Sequence, residues 1–509
     1  AGSEESKAAE PPLSAAEDDK DEPEPPAKAA ARPAGALRYT RVTVFQSQEQ
    51  GNAPPMQKLP VLELGRDKSG GAQTASVFVS PASRVGKPWL GFGGSFTEAA
   101  AVTLQRMGRE VQDEVLRAYF DVDNGLGYNL GRVHIGSCDF CLASWTCGNL
   151  TKNDMELSGF SIDRYQSAIL PMIRQAAEIA GEPITMMASP WSPPPWMKTS
   201  RAFVGDGRLR QTCRGAWAQH FVKFVREMGK AGVPIWAVSV QNEPEAAQPW
   251  ESCIYTAEEE RDFVRDHLGP ALEAAGLGSV KIVIWDHNRD GMFERAVDVY
   301  SDEKAAKYIW GVGYHWYGDA RFESWPDRCT VPFTDHQNAG KRIYELKSQA
   351  SFENVRRVAE LRPDKHIIFT EGCQELSGLG GRRLEDALDD WKLAERYASN
   401  IISDVNNGTE GWIDWNLCLD HTGGPNHAGN FCTAAIVCNT KEKVVLYQPC
   451  YWYLAHFSRF IRPGARRLLC GTSRDALEVT AFLTARETVV VVVLNQSDMH
   501  IEFWLKVAG

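Results

Sequence analysis

No apolar run in the 509-residue chain approaches the roughly 20 residues that a membrane-crossing helix needs; the longest purely aliphatic stretch is Val489 to Leu494. A chain that spans a bilayer by helices is thereby excluded. A basic surplus is missing as well. Lys and Arg number 55 against 66 Asp and Glu, a net charge of −11, so binding to nucleic acid through phosphate contacts is not expected. The sequence has no P-loop, no HExxH and no GxSxG, which disfavours nucleotide, zincin and α/β-hydrolase chemistry. The glycine clusters Gly91-Phe92-Gly93-Gly94 and Gly378-Leu379-Gly380-Gly381 lack GxGxxG spacing and do not read as a dinucleotide cradle. No cofactor is expected. The first residues also lack the apolar core of a signal peptide.

Cysteine is present but sparse, twelve residues scattered along the chain, which gives little support to a disulfide framework. Cys138, Cys141 and Cys147 lie near His134. The C-x2-C-x5-C spacing matches no common zinc site and has no second CxxC half, so these read as buried thiols and no metal is assigned.

Residues 1–36 hold nine acids, four bases, eleven Ala and six Pro. Such a tail cannot bury enough apolar surface to offset the entropy of ordering, and disorder is expected. Short alternating segments at Tyr39–Phe45, Leu59–Leu64 and Ser76–Val79 then read as strands,. From Trp89 the pattern changes. Eight apolar runs alternate with amphipathic helical stretches: Trp89–Phe92, Leu130–Ile135, Ile184–Ala188, Ile235–Val240, Val280–Trp285, Gly311–Tyr317, His366–Thr370 and Gly411–Leu417. Eight such units predict a (β/α)8 barrel. Strands return after Ala434, interrupted by one helix over Tyr451–Ile461. The expected architecture is an α/β chain: a tail over 1–36, β-sandwich strands over 37–86, a TIM barrel over 87–431, and further sandwich strands over 432–509. The sandwich is thus built from both chain ends.

Barrel enzymes place their chemistry at the C-terminal ends of the strands. Two carboxylates stand there in apolar surroundings, Glu243 after strand 4 in Asn242-Glu243-Pro244 and Glu371 after strand 7 in Thr370-Glu371-Gly372. Strands 4 and 7 lie nearly opposite each other, so the two can flank one small ligand. The other strand ends offer Arg132 and Asp139 (strand 2), Trp191 (strand 3), Tyr317 (strand 6) and Trp415 (strand 8). Paired carboxylates with aromatic walls suit glycoside hydrolysis, and an amide just before the acid can bond a sugar hydroxyl. Each residue also has a plainer role open to it. Asp139 could cap a following helix, Trp191 and Trp415 could be core aromatics, and Arg132 could be a barrel ion pair.

At these residues the sequence resembles glycoside hydrolase family 30, and within it the glucosylceramidase branch. The carrying motifs are GFGGSFTEAAA (91–101), RVHIGSCDF (132–140), ASPWSPPPWMKT (188–199), WAVSVQNEP (236–244), FTEGC (369–373) and GWIDWNL (411–417). The resemblance implies that Glu243 is the acid/base and Glu371 the nucleophile of a retaining β-glucosidase. It places Arg132, Asp139, Trp191, Asn242, Tyr317 and Trp415 around the glucose, and Trp250, Asn430 and Phe431 at the entrance. It further implies a β-glucoside or glycosphingolipid substrate, transient contact with a membrane surface, and a secreted or lysosome-like compartment; the oligomeric state stays open. Glu243 should then have a raised pKa in the free enzyme.

Several features depart from that branch. Glu98 stands where the lysosomal enzymes usually carry Asp, a disulfide-bearing N-terminal segment is missing, and the entrance stretch Gln248 to Cys253 is shorter and more polar. A final sandwich strand is also expected to be absent. The alternatives are a β-1,6-glucanase or broad β-glycosidase of the same family and, outside enzymes, an inactive carbohydrate-binding homologue.

Overall fold

The computed structural model describes residues 39–49, 54–65, 74–317, 352–374, 376 and 384–508. The acidic tail over 1–36, Cys329 and the Gly378–Gly381 cluster lie outside them. Eight parallel strands close into a barrel: Gly91–Ser95, Leu130–Ile135, Thr185–Pro190, Ile235–Ser239, Lys281–Asn288, Ile309–His315, His366–Glu371 and Gly411–Asn416. The eighth closes on the first through Gly411 opposite Gly91 and Trp412 opposite Phe92. Glycine makes the first strand possible. A Cβ on Gly93 would stand 2.1 Å from the Leu130 carbonyl oxygen, so any other residue would push the second strand away.

The helices between strands bury one face each, as their apolar spacing requires. The apolar spacing over Thr97–Phe120 predicts one helix, but the stretch forms two, Glu98–Met107 and Arg109–Phe120. Gly108 between them takes φ 98°, a conformation that a side chain would resist. Thr97 starts the first by accepting the Ala100 N–H, a standard N-cap.

A five-stranded sheet stands beside the barrel, ordered Val489–Asn495, Leu477–Leu483, Arg466–Thr472, Ala75–Pro88 and Phe503–Val507. It therefore draws on chain from both sides of the barrel. One face meets the helix Trp391–Asn407, where Asn406 Nδ2 donates to the Val479 carbonyl (2.9 Å). The other carries an apolar cluster that includes Val77, Val79, Leu468, Val479 and Ala481.

Two expectations about this sheet need correction. Of the described residues before the barrel, only Ala75–Pro88 joins it. Arg41–Val42 pairs with Leu62–Glu63, and Phe45–Gln46 with Gln57–Lys58, as separate two-residue ladders. These segments offer no continuous apolar face; Phe45 instead packs against Phe460, with ring centroids 5.0 Å apart. Downstream, Ile436–Asn439 and Val444–Tyr447 form a three-stranded sheet with Cys418–Asp420, which directly follows the eighth barrel strand. That early partner captures them, so the side sheet resumes only at Arg466 rather than at residue 432.

Candidate active site

The barrel interior is layered. Leu130, Met187, Ala237, Val283, Ile368 and Ile413 form an apolar plug. Side chains two residues further along a strand point the same way, and on four of these strands they are Arg132, Ser189, Ser239 and Thr370. Strand 5 breaks the count. Trp285 and Asp286 have φ of 72° and 49°, and the register against strand 6 slips between Trp285 and His287. This bulge inserts one extra residue and places Asp286, not Trp285, in the polar layer.

Asp286 is wholly buried and takes five donors. Arg132 Nη2 (2.9 Å), Ser189 Oγ (2.9 Å) and Ser239 Oγ (2.6 Å) reach Oδ2. His315 Nε2 (3.0 Å) and Thr370 Oγ1 (2.6 Å) reach Oδ1. Burial alone would raise its pKa, but the Arg132 charge and the His315 contact hold it far below the usual carboxylate range.

Arg132 connects this layer to the predicted residues. It donates to Glu371 Oε2 (2.5 Å), Asn242 Oδ1 (2.7 Å) and Ser189 Oγ (3.1 Å). Trp191 and Trp415 stack on each other at 5.3 Å, and the Arg132 guanidinium lies 4.8 and 5.5 Å from their rings. Both indoles are buried, so they wall the guanidinium,. Arg132 is thus an ion pair and a site residue at once. Tyr317 Oη donates to the other Glu371 oxygen, Oε1, at 3.2 Å, and lies 3.2 Å from Cys373 Sγ.

Glu243 also sits in the left-handed region, φ 48°, a strain that costs about 1 kcal/mol or more in a non-glycine residue. Its N–H donates to the Asp286 carbonyl (2.9 Å). His315 Nδ1 lies 3.3 Å from Glu243 Oε1, and Gln248 Nε2 donates to Oε2 at 3.4 Å. The expected raised pKa for Glu243 is not found. Burial pushes it up, but the His315 hydrogen bond and nearby imidazole charge outweigh burial, and the net direction is down. His315 is itself raised to about 9: burial lowers it, but the Glu371 charge and the contacts with Asp286 and Glu243 prevail. His287 is 4.0 Å from Glu243, and burial lowers its pKa; His315 is the closer ring and the one raised. Glu371 runs the other way. Burial and the Glu243 charge raise it against His315 and Arg132.

Asp139 caps no helix, since the chain turns irregularly after it. Its Oδ2 accepts Asn430 Nδ2 at 2.9 Å. Burial, with the charges of Glu371, Glu251 and Glu243, pushes its carboxyl up to about 8 against that bond, so at neutral pH it carries a proton it can donate. Trp250 stands apart, half-buried against the core. Its neighbour Glu251 does the bridging, accepting from Ser137 Oγ (2.6 Å) and pairing with His427 Nε2 (3.3 Å). The loops after strands 2, 4 and 8 are thereby tied together. Phe431, on the last of these, is 40% exposed. Glu98 points elsewhere, pairing with Arg164 (2.9 Å) and accepting the Leu142 N–H.

His134, Cys138 and Cys141 approach within 4.8 Å of one another. Nδ1 of His134 contacts the Gly136 carbonyl (2.5 Å) and Nε2 accepts the Glu98 N–H (3.2 Å). Both ring nitrogens are committed, and the buried thiols have no imidazole lone pair to share with a metal.

Two carboxylates, a buried arginine and a pair of stacked tryptophans thus meet at the C-terminal ends of the barrel strands. The glycosyl hydrolase family 30 TIM-barrel domain matches residues 90–339 and 326–461, and the family 30 beta sandwich domain matches 464–509. The chain belongs to glycosyl hydrolase family 30. The sandwich match starts close to Arg466, where the side sheet resumes. Lysosomal acid glucosylceramidase of Mus musculus is 33% identical over 420 residues, 80% of this chain and 75% of that one. Endo-1,6-beta-D-glucanase of Neurospora crassa is 24% identical over 417 residues, 80% and 77% of the two chains. The solved structure of SrfJ from Salmonella typhimurium is 31% identical, covers 90% of this chain and 93% of its own, and gives a TM-score of 0.77. This family 30 chain is a glycoside hydrolase.

Sequence reasoning missed Asp286 and His315. His315 lies two residues before Tyr317, inside a strand already read correctly, and its polar character in that run was the available signal. Asp286 lay one residue beyond the strand end read at Trp285, and alternation gives no sign of a bulge.

Proposed function

We propose that this hydrolase is a retaining β-glucosidase acting on glucosylceramide, releasing glucose and ceramide by double displacement. The observation that carries this reading is the unequal environment of the two carboxylates. Glu371 is gripped on one oxygen by Arg132 and on the other by Tyr317, which aims a carboxylate and holds it against rotation. Glu243 faces a protonatable imidazole, which suits a group that gives and takes a proton. Glu371 attacks the anomeric carbon while Glu243 protonates the departing oxygen. Water, deprotonated by Glu243, then releases glucose with the β configuration. The neutral Asp139 carboxyl and Asn242 bond sugar hydroxyls, and the Trp191–Trp415 wall shields the cationic transition state.

A lipid aglycone is supported by the similarity to the mouse glucosylceramidase and by exposed Leu142 and Phe431 on the loops after strands 2 and 8. A second reading, hydrolysis of β-1,6-linked glucan, is favoured by the Neurospora crassa relative. Assaying glucosylceramide in detergent micelles beside soluble β-1,6-glucan separates them. Faster turnover of glucan, with no glucose released from the lipid, would replace the first reading with the second. For the acid/base, azide should restore turnover to Glu243→Ala on an activated aryl glucoside and give the β-glycosyl azide; absence of rescue counts against Glu243.

A further inference from the structure

We propose that Asp286 is a positioning residue that governs both carboxylates from beneath, acting on Glu371 through Arg132 and on Glu243 through His315. The proposal rests on the roles given above to Glu371 and Glu243.

A carboxylate offers about four lone-pair positions, and Asp286 meets five donors from strands 2, 3, 4, 6 and 7. It is the shared anchor of two separate arms. On one, Arg132 spans Asp286 Oδ2 and Glu371 Oε2 through different nitrogens. Removing the Asp286 charge would free the guanidinium to turn and take Glu371 with it. On the other, His315 Nε2 lies against Asp286 Oδ1, so that nitrogen carries the hydrogen. His315 Nδ1 then faces Glu243 Oε1 at 3.3 Å. Two acceptors do not settle at that distance, so a proton must lie between them, on the imidazole or on the carboxyl. Asp286 thus fixes the tautomer that keeps a proton at Glu243. In the first step that proton passes to the aglycone oxygen as its bond to the anomeric carbon breaks. In the second, Glu243 takes one proton from water. A third link is the backbone, because the Asp286 carbonyl accepts the Glu243 N–H. The charged or titratable groups near His315 are Glu243, Asp286, Glu371 and His287, and the Tyr317 ring lies 6.0 Å away.

The test is made on the full chain with two substrates: dinitrophenyl β-glucoside, whose leaving group needs no proton, and phenyl β-glucoside, whose leaving group does. His315→Gln should lose on the order of 100-fold in kcat/KM on the phenyl substrate, the lower end of what general acid catalysis supplies, and only a few-fold on the dinitrophenyl one. Its pH profile on the phenyl substrate should lose the wild-type basic limb. Asp286→Asn should lose heavily on both substrates, because it also loosens Arg132 and Glu371. Equal losses on both substrates in His315→Gln, with an unchanged pH profile, would mean a merely structural role and would overturn the proposal. So would near-normal rates in Asp286→Asn. If Asp286→Asn does not fold, as judged by circular dichroism, the leaving-group split in His315→Gln decides alone. A failure of the underlying assignment shows up separately, as turnover retained by Glu371→Gln.

Discussion

Two layers of one barrel, a single side-chain step apart, follow opposite rules. The lower layer, with Leu130, Met187, Ala237, Val283, Ile368 and Ile413, is apolar and satisfies no polar group. The upper layer, with Arg132, Ser189, Ser239, Asp286, His315 and Thr370, is as deeply buried but is held by charge and hydrogen bonds. Burial is thus no guide to which residues work and which only fill. The lower layer stabilises by removing apolar surface from water, about 25 cal/mol per Å². The upper layer costs desolvation for every charge it holds, and what it gains is fixed geometry beneath two carboxylates. Stability and activity should therefore separate between layers that share the same strands.

That separation can be broken in order of effect. Glu371→Gln, at the top, should cost on the order of 10⁴-fold or more in kcat, as for a nucleophile acting in a concerted set, while the thermal midpoint stays near wild type. Retained turnover with a lowered midpoint would invert the roles of the layers. Ile368→Ala, below, should destabilise by about 2–5 kcal/mol through the cavity it leaves. The turnover of its folded fraction should stay within about twofold, checked by denaturant titration beside active-site titration. Ser239→Ala removes one donor from buried Asp286 and should cost about 1–3 kcal/mol together with a partial loss of rate, placing it between the two.

The smallest effect concerns the rim. His427 is raised to about 9, first by its pairing with Glu251, above an unfolded value of about 6.5. A raised folded pKa gives stability that is complete below about 6.5 and is lost as pH climbs through about 9. Glu251 is buried and His427 is the part-exposed member, and solvent around the imidazole holds the contribution of the pair to about 1 kcal/mol. Melting curves of wild type and Glu251→Gln should therefore converge above pH of about 9; a gap that widens there would contradict the pairing.

Much of this was legible in the sequence. Alternating apolar runs and helices gave the barrel, and Glu243 and Glu371 stood out as carboxylates at the ends of buried strands. Arg132, Asn242 and Tyr317 followed from strand ends in the same way. What alternation cannot carry is a break in alternation. Counting by twos from Val283 reaches Trp285, whereas the bulge turns Asp286 inward. The direction of the Glu243 pKa was equally hidden, because it depends on an imidazole from another strand. The break at Gly108 was hidden too, because the apolar spacing continues on both sides of it. The partners of the short ladders at Arg41–Val42 and Ile436–Asn439 were not legible, because two to four residues carry too little alternation to specify a partner.

In the proposed mechanism Glu371, clamped by Arg132 and Tyr317, is the nucleophile that holds the sugar. Incubation with a fluoro-substituted β-glucoside bearing a dinitrophenolate leaving group, followed by intact and peptide mass spectrometry, tests it directly. One sugar should be attached per chain, on the peptide carrying Glu371, with no label in Glu371→Gln. Label on another carboxylate, or hydrolysis with inversion and no trapped sugar, would contradict the account.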